Sequence, residues 1–180
     1  MQNTVFASTL QFPLMTVRQA TATDLPALMH LIHHVVPLMR QAGNFQWDEH
    51  YPNHDVFAND IAQNQLWVVY IDGLLAGVAA ITEDQEPEYA QVGFDLSQRA
   101  IVTHRLAVDP AFRGQGVAAA LLAQAEQIAL EQGIAFLRID TNSENQITQK
   151  LFPKMGYRYA GEITLSFRPG LNFLAYEKTL

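Results

Sequence analysis

The chain contains no cysteine in its 180 residues. Disulfides, thiolate metal sites and a cysteine nucleophile are therefore excluded, and the composition is compatible with a cytoplasmic home. Positive charge is scarce: 11 Lys and Arg face 18 Asp and Glu, for a net charge of −7. Such a chain is repelled by phosphate backbones and anionic lipid, which disfavours nonspecific binding to nucleic acid or to a membrane surface. Long apolar runs are also missing. The longest, Leu66–Ile71 and Gly116–Ala123, fall far short of a membrane span. Residues 1–14 hold no Lys or Arg and so lack the basic start of a signal peptide. They precede a second methionine, Met15, and read as a leader, a flexible extension or an added edge segment. No Gly-Lys-Ser/Thr triplet occurs, which excludes the phosphate loop of nucleotide hydrolases. There is no internal repeat, linker or low-complexity stretch.

What is present is a globular composition, 49% hydrophobic, long enough for one domain with a substantial core over residues 15–180. Thr16–Ala20 reads as a short strand. Thr23 or Asp24 caps a helix with Pro26 in its first turn, and Leu25, Leu28, Met29, Ile32, Val36 and Met39 follow at helical spacing. Pro37 is expected to kink or split that helix. Residues 43–53 form an aromatic-rich loop, and a short helix covers Val56–Gln63. Leu66–Ile71 and Leu75–Ile81 are strands joined at Asp72-Gly73, a hairpin signal. Thr82–Arg99 holds Glu83, Asp84, Glu86, Glu88 and Asp95 before its first basic residue. Ile101–Val108 and Phe136–Asp140 are strands, Gly116–Glu131 and Glu144–Met155 helices, and Tyr157–Phe167 with Asn172–Lys178 a final antiparallel pair.

The most informative stretch is residues 101–122. A strand runs into Arg113-Gly114-Gln115-Gly116-Val117-Ala118, and Val117, Leu121, Ala125 and Ile128 then recur at helical spacing. Gly114 and Gly116 permit a sharp bend with bare N–H groups. A helix N-terminus carries unpaired donors and partial positive charge, which suits a phosphate or pyrophosphate, and Arg113 adds a full charge. Two ligands fit. Gly114, Gly116 and Ala119 satisfy the loose dinucleotide pattern, with Asp140 closing the next strand. Against a dinucleotide stand the intervening Asp109–Arg113, the 40 residues left after Asp140, and the hairpin signals ahead of the motif.

The other ligand is coenzyme A. Arg113, Gly116 and Ala118 resemble the acyl-CoA signature Arg/Gln-x-x-Gly-x-Gly/Ala of the GNAT superfamily of N-acetyltransferases. Leu106-Ala107-Val108-Asp109-Pro110 is similar to that family's preceding strand and turn. Asn145, Leu151, Phe152, Lys154, Gly156 and Tyr157 resemble its later segment. The resemblance implies an α/β (α+β) fold: a mixed, mostly antiparallel sheet flanked by helices, its central strands Ile101–Val108 and Phe136–Asp140 splayed apart. It implies that the pantetheine arm bonds Leu106 and Val108 in the splay. It also implies a pyrophosphate on the N–H groups of Gly114, Gln115, Gly116, Val117 and Ala118, Asn145 on the pantetheine, and Phe152 near the thioester. A homodimer through the late strands is a further family expectation.

Acetyl transfer to an amine needs a positioned amine, loss of the ammonium proton, oxyanion stabilisation and an exit for the thiolate. The Val108 N–H is a candidate for the oxyanion. His104 is the favoured base, two and four residues before Leu106 and Val108 and hence expected on their face of the strand. Its position resembles a catalytic histidine in the serotonin N-acetyltransferase branch. The alternative is a strand histidine that only hydrogen-bonds a neighbour. Glu83 is the second candidate base, or else a solvated loop acid. Phe152 stands where many family members carry a tyrosine acid, which leaves water, an unassisted thiolate, Tyr157 or Tyr159 for that role. Trp47, Tyr51 and Phe57 are candidates to line the acceptor pocket, or core beneath a loop. The acidic stretch Glu83–Asp95 is suited to drawing a cationic amine. His30 and His34 form an i,i+4 pair without an obvious third ligand, so no metal is expected. The expected activity is an acetyl-CoA-dependent N-acetyltransferase acting on a primary amine. The alternatives are a non-catalytic acyl-CoA-binding sensor of the same fold and a nicotinamide dehydrogenase.

Overall fold

The computed structural model describes residues 14–180. The expected N-terminal leader therefore lies outside the described residues, Leu14 excepted. Strands β1 (Met15–Gln19), β2 (Leu66–Ile71), β3 (Leu74–Thr82), β4 (Ala100–Val108), β5 (Phe136–Asn142), β6 (Arg158–Thr164) and β7 (Asn172–Thr179) form one sheet in the order β1-β2-β3-β4-β5-β7-β6. β2 and β3 meet at Asp72 and Gly73, both at positive φ (49° and 81°), the mirror-image turn that matches strand twist.

Every neighbouring pair is antiparallel except β4 and β5. Those two run parallel and pair at only three rungs, Ala100↔Phe136, Ile101↔Leu137 and Val102↔Arg138. Beyond them β4 continues six residues to Val108 and β5 continues to Asn142 without facing each other. The sheet is thus forked at its centre, as the family resemblance implied. Backbone groups along a fork must find partners other than a strand.

Helix α3 (Val117–Gln132) lies on one face. It buries Val117, Leu121, Leu122, Ala125 and Ala129 against β2, β3 and β5. Its approach is close: a Cβ on Gly77 of β3 would stand 2.5 Å from Val117 Cγ1 and 2.9 Å from the Ala107 carbonyl oxygen. That packing fixes the start of α3 above the open end of the fork. Helix α4 (Gln146–Lys154) lies on the same face with Phe152 buried. Helices α1 (Leu25–Gln41) and α2 (His54–Ala62) cover the opposite face of the N-terminal strands. The segment 83–99, with a 3-10 turn at Pro87–Val92, covers that face over β4 to β7, its Tyr89 packed in one cluster with Val102, Ile163, Leu165, Phe173 and Ala175.

Pro37 does not split α1, which runs on to Gln41. Pro37 and His33 are both exposed, so the carbonyl that loses its helical partner faces water and the break is cheap. Pro153 likewise sits inside the last turn of α4.

Candidate active site

The fork opens into a cavity of about 980 Å³, within the range of small-molecule sites. One wall is backbone. The 3-10 turn Pro110–Phe112, capped by Asp109 on the Ala111 N–H at 2.8 Å, delivers the chain to Gly114 and Gly116 at φ +76° and +82°. A Cβ at either glycine would meet no atom within 4 Å, so the bend faces open space. The N–H groups of Gly114, Gly116, Val117, Ala118 and Ala119 have no acceptor among the described residues. Arg113 lines the same wall. The last three residues of β4, Leu106 to Val108, and Asp109 after them connect the fork to this bend, and Thr103, the first residue beyond the last rung, carries a buried hydroxyl without a partner among the described residues. A pyrophosphate on a hydrogen-bonding arm fits these donors.

Of the residues expected at coenzyme A, Leu106, Ala107, Val108, Arg113, Gly114, Gly116, Val117, Ala118, Asn145 and Phe152 line the cleft. Gln115 does not. Its N–H donates to the Phe112 carbonyl at 3.3 Å and its side chain to the Ala111 carbonyl, which turns it outward. Asn145 caps α4, accepting from the Thr148 N–H at 3.4 Å. Phe152 is buried with its ring edge-on to Tyr176 at 5.2 Å. Neither tyrosine considered as its replacement reaches the cleft. The Tyr157 hydroxyl is buried without a partner among the described residues and pushed up by burial and by Glu126, while Tyr159 is exposed on β6. Among the described residues, Tyr51 is the tyrosine that lines the cleft, its hydroxyl 3.3 Å from Arg105 Nη1.

The other wall is made of side chains. His104 lines it, but not on the face expected. Val78 pairs with Ala107 and Ala80 with His104, so β4 carries one extra residue between these rungs. That residue lies at the bulge where Arg105 adopts φ +53°. The bulge reverses the alternation: His104 shares the face of Ala80 and Ala107, toward α1 and the 83–99 segment, whereas Leu106 and Val108 face α3. The Arg105 side chain is held there by a two-point ion pair to the buried Asp60, 2.8 Å at each contact. Burial pushes the Asp60 carboxyl up, and Arg105 opposes that shift.

The His104 Nε2 lies 2.9 Å from the Asp84 carbonyl oxygen. A carbonyl only accepts, so Nε2 carries the proton and Nδ1 presents a lone pair. That Nδ1 is 3.9 Å from Glu86 Oε1. Burial lowers the His104 pKa to about 4, which keeps the ring neutral at physiological pH. Burial first, and Asp140 second, push the Glu86 carboxyl up. Asp140 is raised to about 6 by burial, against a hydrogen bond from the Tyr89 hydroxyl at 2.8 Å. Two proton-accepting atoms thus stand side by side, with a second carboxyl across the fork.

Glu83 is not part of this group. It does not line the cleft and is clamped by Arg99 through two 2.8 Å contacts, which hold its carboxyl below the ordinary range, the wrong direction for a base. Phe57 is fully buried between α1 and α2 and is core, not pocket. Trp47 and Tyr51 do line the cleft, with Arg168 over the Tyr51 ring at 5.1 Å and bonded to Asp48 at 2.8 Å. Glu86 and Asp140 were missed as site residues. Glu86 is one of five carboxylates in its segment and carries no distinguishing neighbour. Asp140 had a signal: Arg138 and Asp140 place charge at alternate positions of a central strand whose other positions, Leu137 and Ile139, are core. Among the described residues, no group of three or more His, Asp or Glu is arranged to hold a metal.

The profile of the acetyltransferase (GNAT) family matches residues 32–157. An uncharacterized N-acetyltransferase of Bacillus subtilis, YesJ, is 27% identical over 150 residues, covering 79% of this chain and 81% of that protein. The crystal structure of a GNAT-family acetyltransferase of Streptococcus agalactiae is 30% identical, with a TM-score of 0.74 over 92% of this chain and 95% of that one. The PaiA N-acetyltransferase of Thermoplasma acidophilum, crystallised in complex with coenzyme A, shares the fold at 16% identity, with a TM-score of 0.68 over 93% and 99% of the two chains. The forked sheet, the bare helix N-terminus and these matches agree: the chain belongs to the acetyltransferase (GNAT) family, whose members use acetyl-CoA, and moves an acetyl group to an amine.

Proposed function

We propose that the chain is one catalytic domain over residues 15–180 that acetylates a primary amine by direct attack in a ternary complex with acetyl-CoA, in the cytoplasm. The observation that carries the mechanism is the fork itself. Its open strand edge leads at one end to the donors of Gly114 to Ala119 and is flanked by the His104–Glu86 pair. Leu106, Val108, Arg113, the bend N–H groups and Asn145 are the residues that would hold the acetyl donor, which supplies an activated acyl group. Glu86 and Asp140 favour entry of a cationic amine, and Trp47 and Tyr51 pack beside it. Glu86, its carboxyl pushed up by burial and by Asp140, takes the ammonium proton, directly or by way of Nδ1 of the neutral His104 ring, whose low basicity suits it to pass the proton on. The Val108 N–H is assigned to the developing oxyanion. Phe152 holds no proton, so the thiolate leaves unassisted or takes its proton from water. A homodimer through the late strands is part of this proposal, with the β6 edge covered at its end by Gln91, which bonds both the N–H and the carbonyl of Thr164.

The test is thermal unfolding with acetyl-CoA, CoA and NAD in parallel, followed by thiol release with a panel of primary amines. A ligand at 100 times its Kd adds about 2.7 kcal/mol to the folded state. The expected result is a raised midpoint with both CoA compounds, none with NAD, and amine-dependent thiol release. Binding without release across the panel would mark a sensor instead.

A further inference from the structure

Arg138 is a charged side chain buried in the middle of the sheet, 2% exposed. A buried guanidinium is tolerated only when its donors are answered. Glu177 of β7 accepts from Nε at 2.8 Å. That contact alone would serve the sheet. Nη1 goes elsewhere: it donates to Gln85 Oε1 and to the Asp95 carbonyl oxygen at 3.2 Å, both in the covering segment. Phe94 of that segment lies over the guanidinium at 4.6 Å. Gln85 in turn donates to the carbonyls of Gln98 at 2.9 Å and Leu96 at 3.4 Å, tying the segment's start to its end.

The place of this knot matters. Arg138 is opposite Val102 on the last rung before the fork, and His104 and Asp140 are the next residues along β4 and β5 on that same face. Gln85 stands between the two residues of the segment that reach the site. Asp84 offers the carbonyl that fixes the His104 proton on Nε2, and Glu86 lines the cleft. We propose that Arg138 and Gln85 are positioning residues, which bolt the 83–98 segment to the closed end of the fork and so set the His104 tautomer and the place of Glu86. This inference rests on the acetyl-transfer reading for its kinetic consequence, but not for its structural one. The charged groups facing His104 are Asp84 and Glu86 from the segment, Arg105 from its own strand and Asp140 from β5.

The experiment compares the full chain with Gln85→Ala and Arg138→Lys. Arg138→Lys keeps a cation for Glu177 but loses the second arm; Gln85→Ala removes one acceptor of the guanidinium but leaves the Arg138–Glu177 ion pair and the Asp95 carbonyl contact in place, and carries the test if the lysine variant does not fold. The first readout is the imidazole nitrogen NMR spectrum of His104 against pH. The unaltered chain should show one Nε2-protonated tautomer and a titration far below the ordinary value. Both variants should show mixed tautomers and a titration moved upward. The second readout is kinetic. In the variants, kcat/KM for the amine should fall roughly tenfold or more, with its acid limb at higher pH, while KM for acetyl-CoA stays within about twofold. Unchanged His104 spectra in the variants overturn the proposal, as does a parallel fall for both substrates that follows the loss of folded protein. A chain that binds CoA but releases no thiol with any amine refutes the acetyl-transfer reading instead, and the NMR comparison still decides the positioning role.

Discussion

The two walls of the cleft are built on different principles. The wall for the acetyl donor is backbone from one continuous stretch, Leu106 to Ala119, and its donors are the unpaired N–H groups of a bend and a helix start. The wall for the acceptor is side chains from separate segments: Trp47 and Tyr51, Glu86, His104, Asp140 and Arg168. Backbone donors survive most substitutions, because every residue but proline has an N–H. Side chains do not. One wall can therefore stay constant while the other is rewritten residue by residue, so acceptor choice can change without loss of the donor. Arg105 joins the two, since its bulge turns His104 to the acceptor wall and Leu106 to the donor wall.

The largest effect is expected at that joint. Asp60→Ala leaves the Arg105 guanidinium without its carboxylate, and removing one partner of a buried pair costs about 3–5 kcal/mol. Chemical unfolding checks this, and a change under about 1 kcal/mol would show that the bulge holds without the pair. Next, Gly116→Val puts a β-branched residue at φ +82° and a side chain into the space before the bend. Acetyl-CoA affinity should weaken roughly tenfold to a hundredfold by calorimetry, with KM for the amine little changed. Glu86→Gln should do the reverse, lowering kcat/KM for the amine by about 10- to 100-fold with acetyl-CoA affinity kept within about twofold.

The acceptor wall also has a pH signature. His104 titrates at about 4 when folded against 6.5 ordinarily, so its stabilising effect is complete above pH 6.5 and is lost as pH falls toward 4. Asp140 titrates at about 6 when folded against 3.8, so its effect is complete below pH 3.8 and is lost as pH rises through 6. Between pH 4 and 6 the two slopes oppose, each worth roughly 3 kcal/mol across its range. Asp140→Asn should therefore expose a loss of stability on acidification, and His104→Gln a gain, relative to the parent in urea titrations at pH 4, 5 and 6. Equal slopes in all three proteins would contradict the buried placement. The smallest effect is expected for Glu83→Gln, which removes an exposed pair with Arg99: the urea midpoint and turnover should both stay close to those of the parent.

The same contrast explains what could be read from the amino acids. The donor wall was legible because its chemistry is local: two glycines, an arginine and a helical repeat within a dozen residues specify a bend, a charge and a helix start. The mostly antiparallel sheet and its fork followed from the family resemblance those residues carry. The acceptor wall was legible only in part. His104 was found, but on the wrong face, because nothing marks Arg105, a residue with a Cβ, as the site of a positive-φ bulge. Trp47, Tyr51 and Phe57 look alike in composition, and only the packing of α1 on α2 separates core from pocket. Glu86 stands next to Gln85, which accepts from Arg138 53 positions away, a contact with no local trace in the sequence.

Amide hydrogen exchange with and without CoA tests most directly whether the ligand seats in the fork. Peptides covering residues 103–108 and 114–119 should gain protection, while the outer strands β1 and β6 exchange as before. Protection confined to other segments, or none at saturating CoA, would contradict the fork as the donor site.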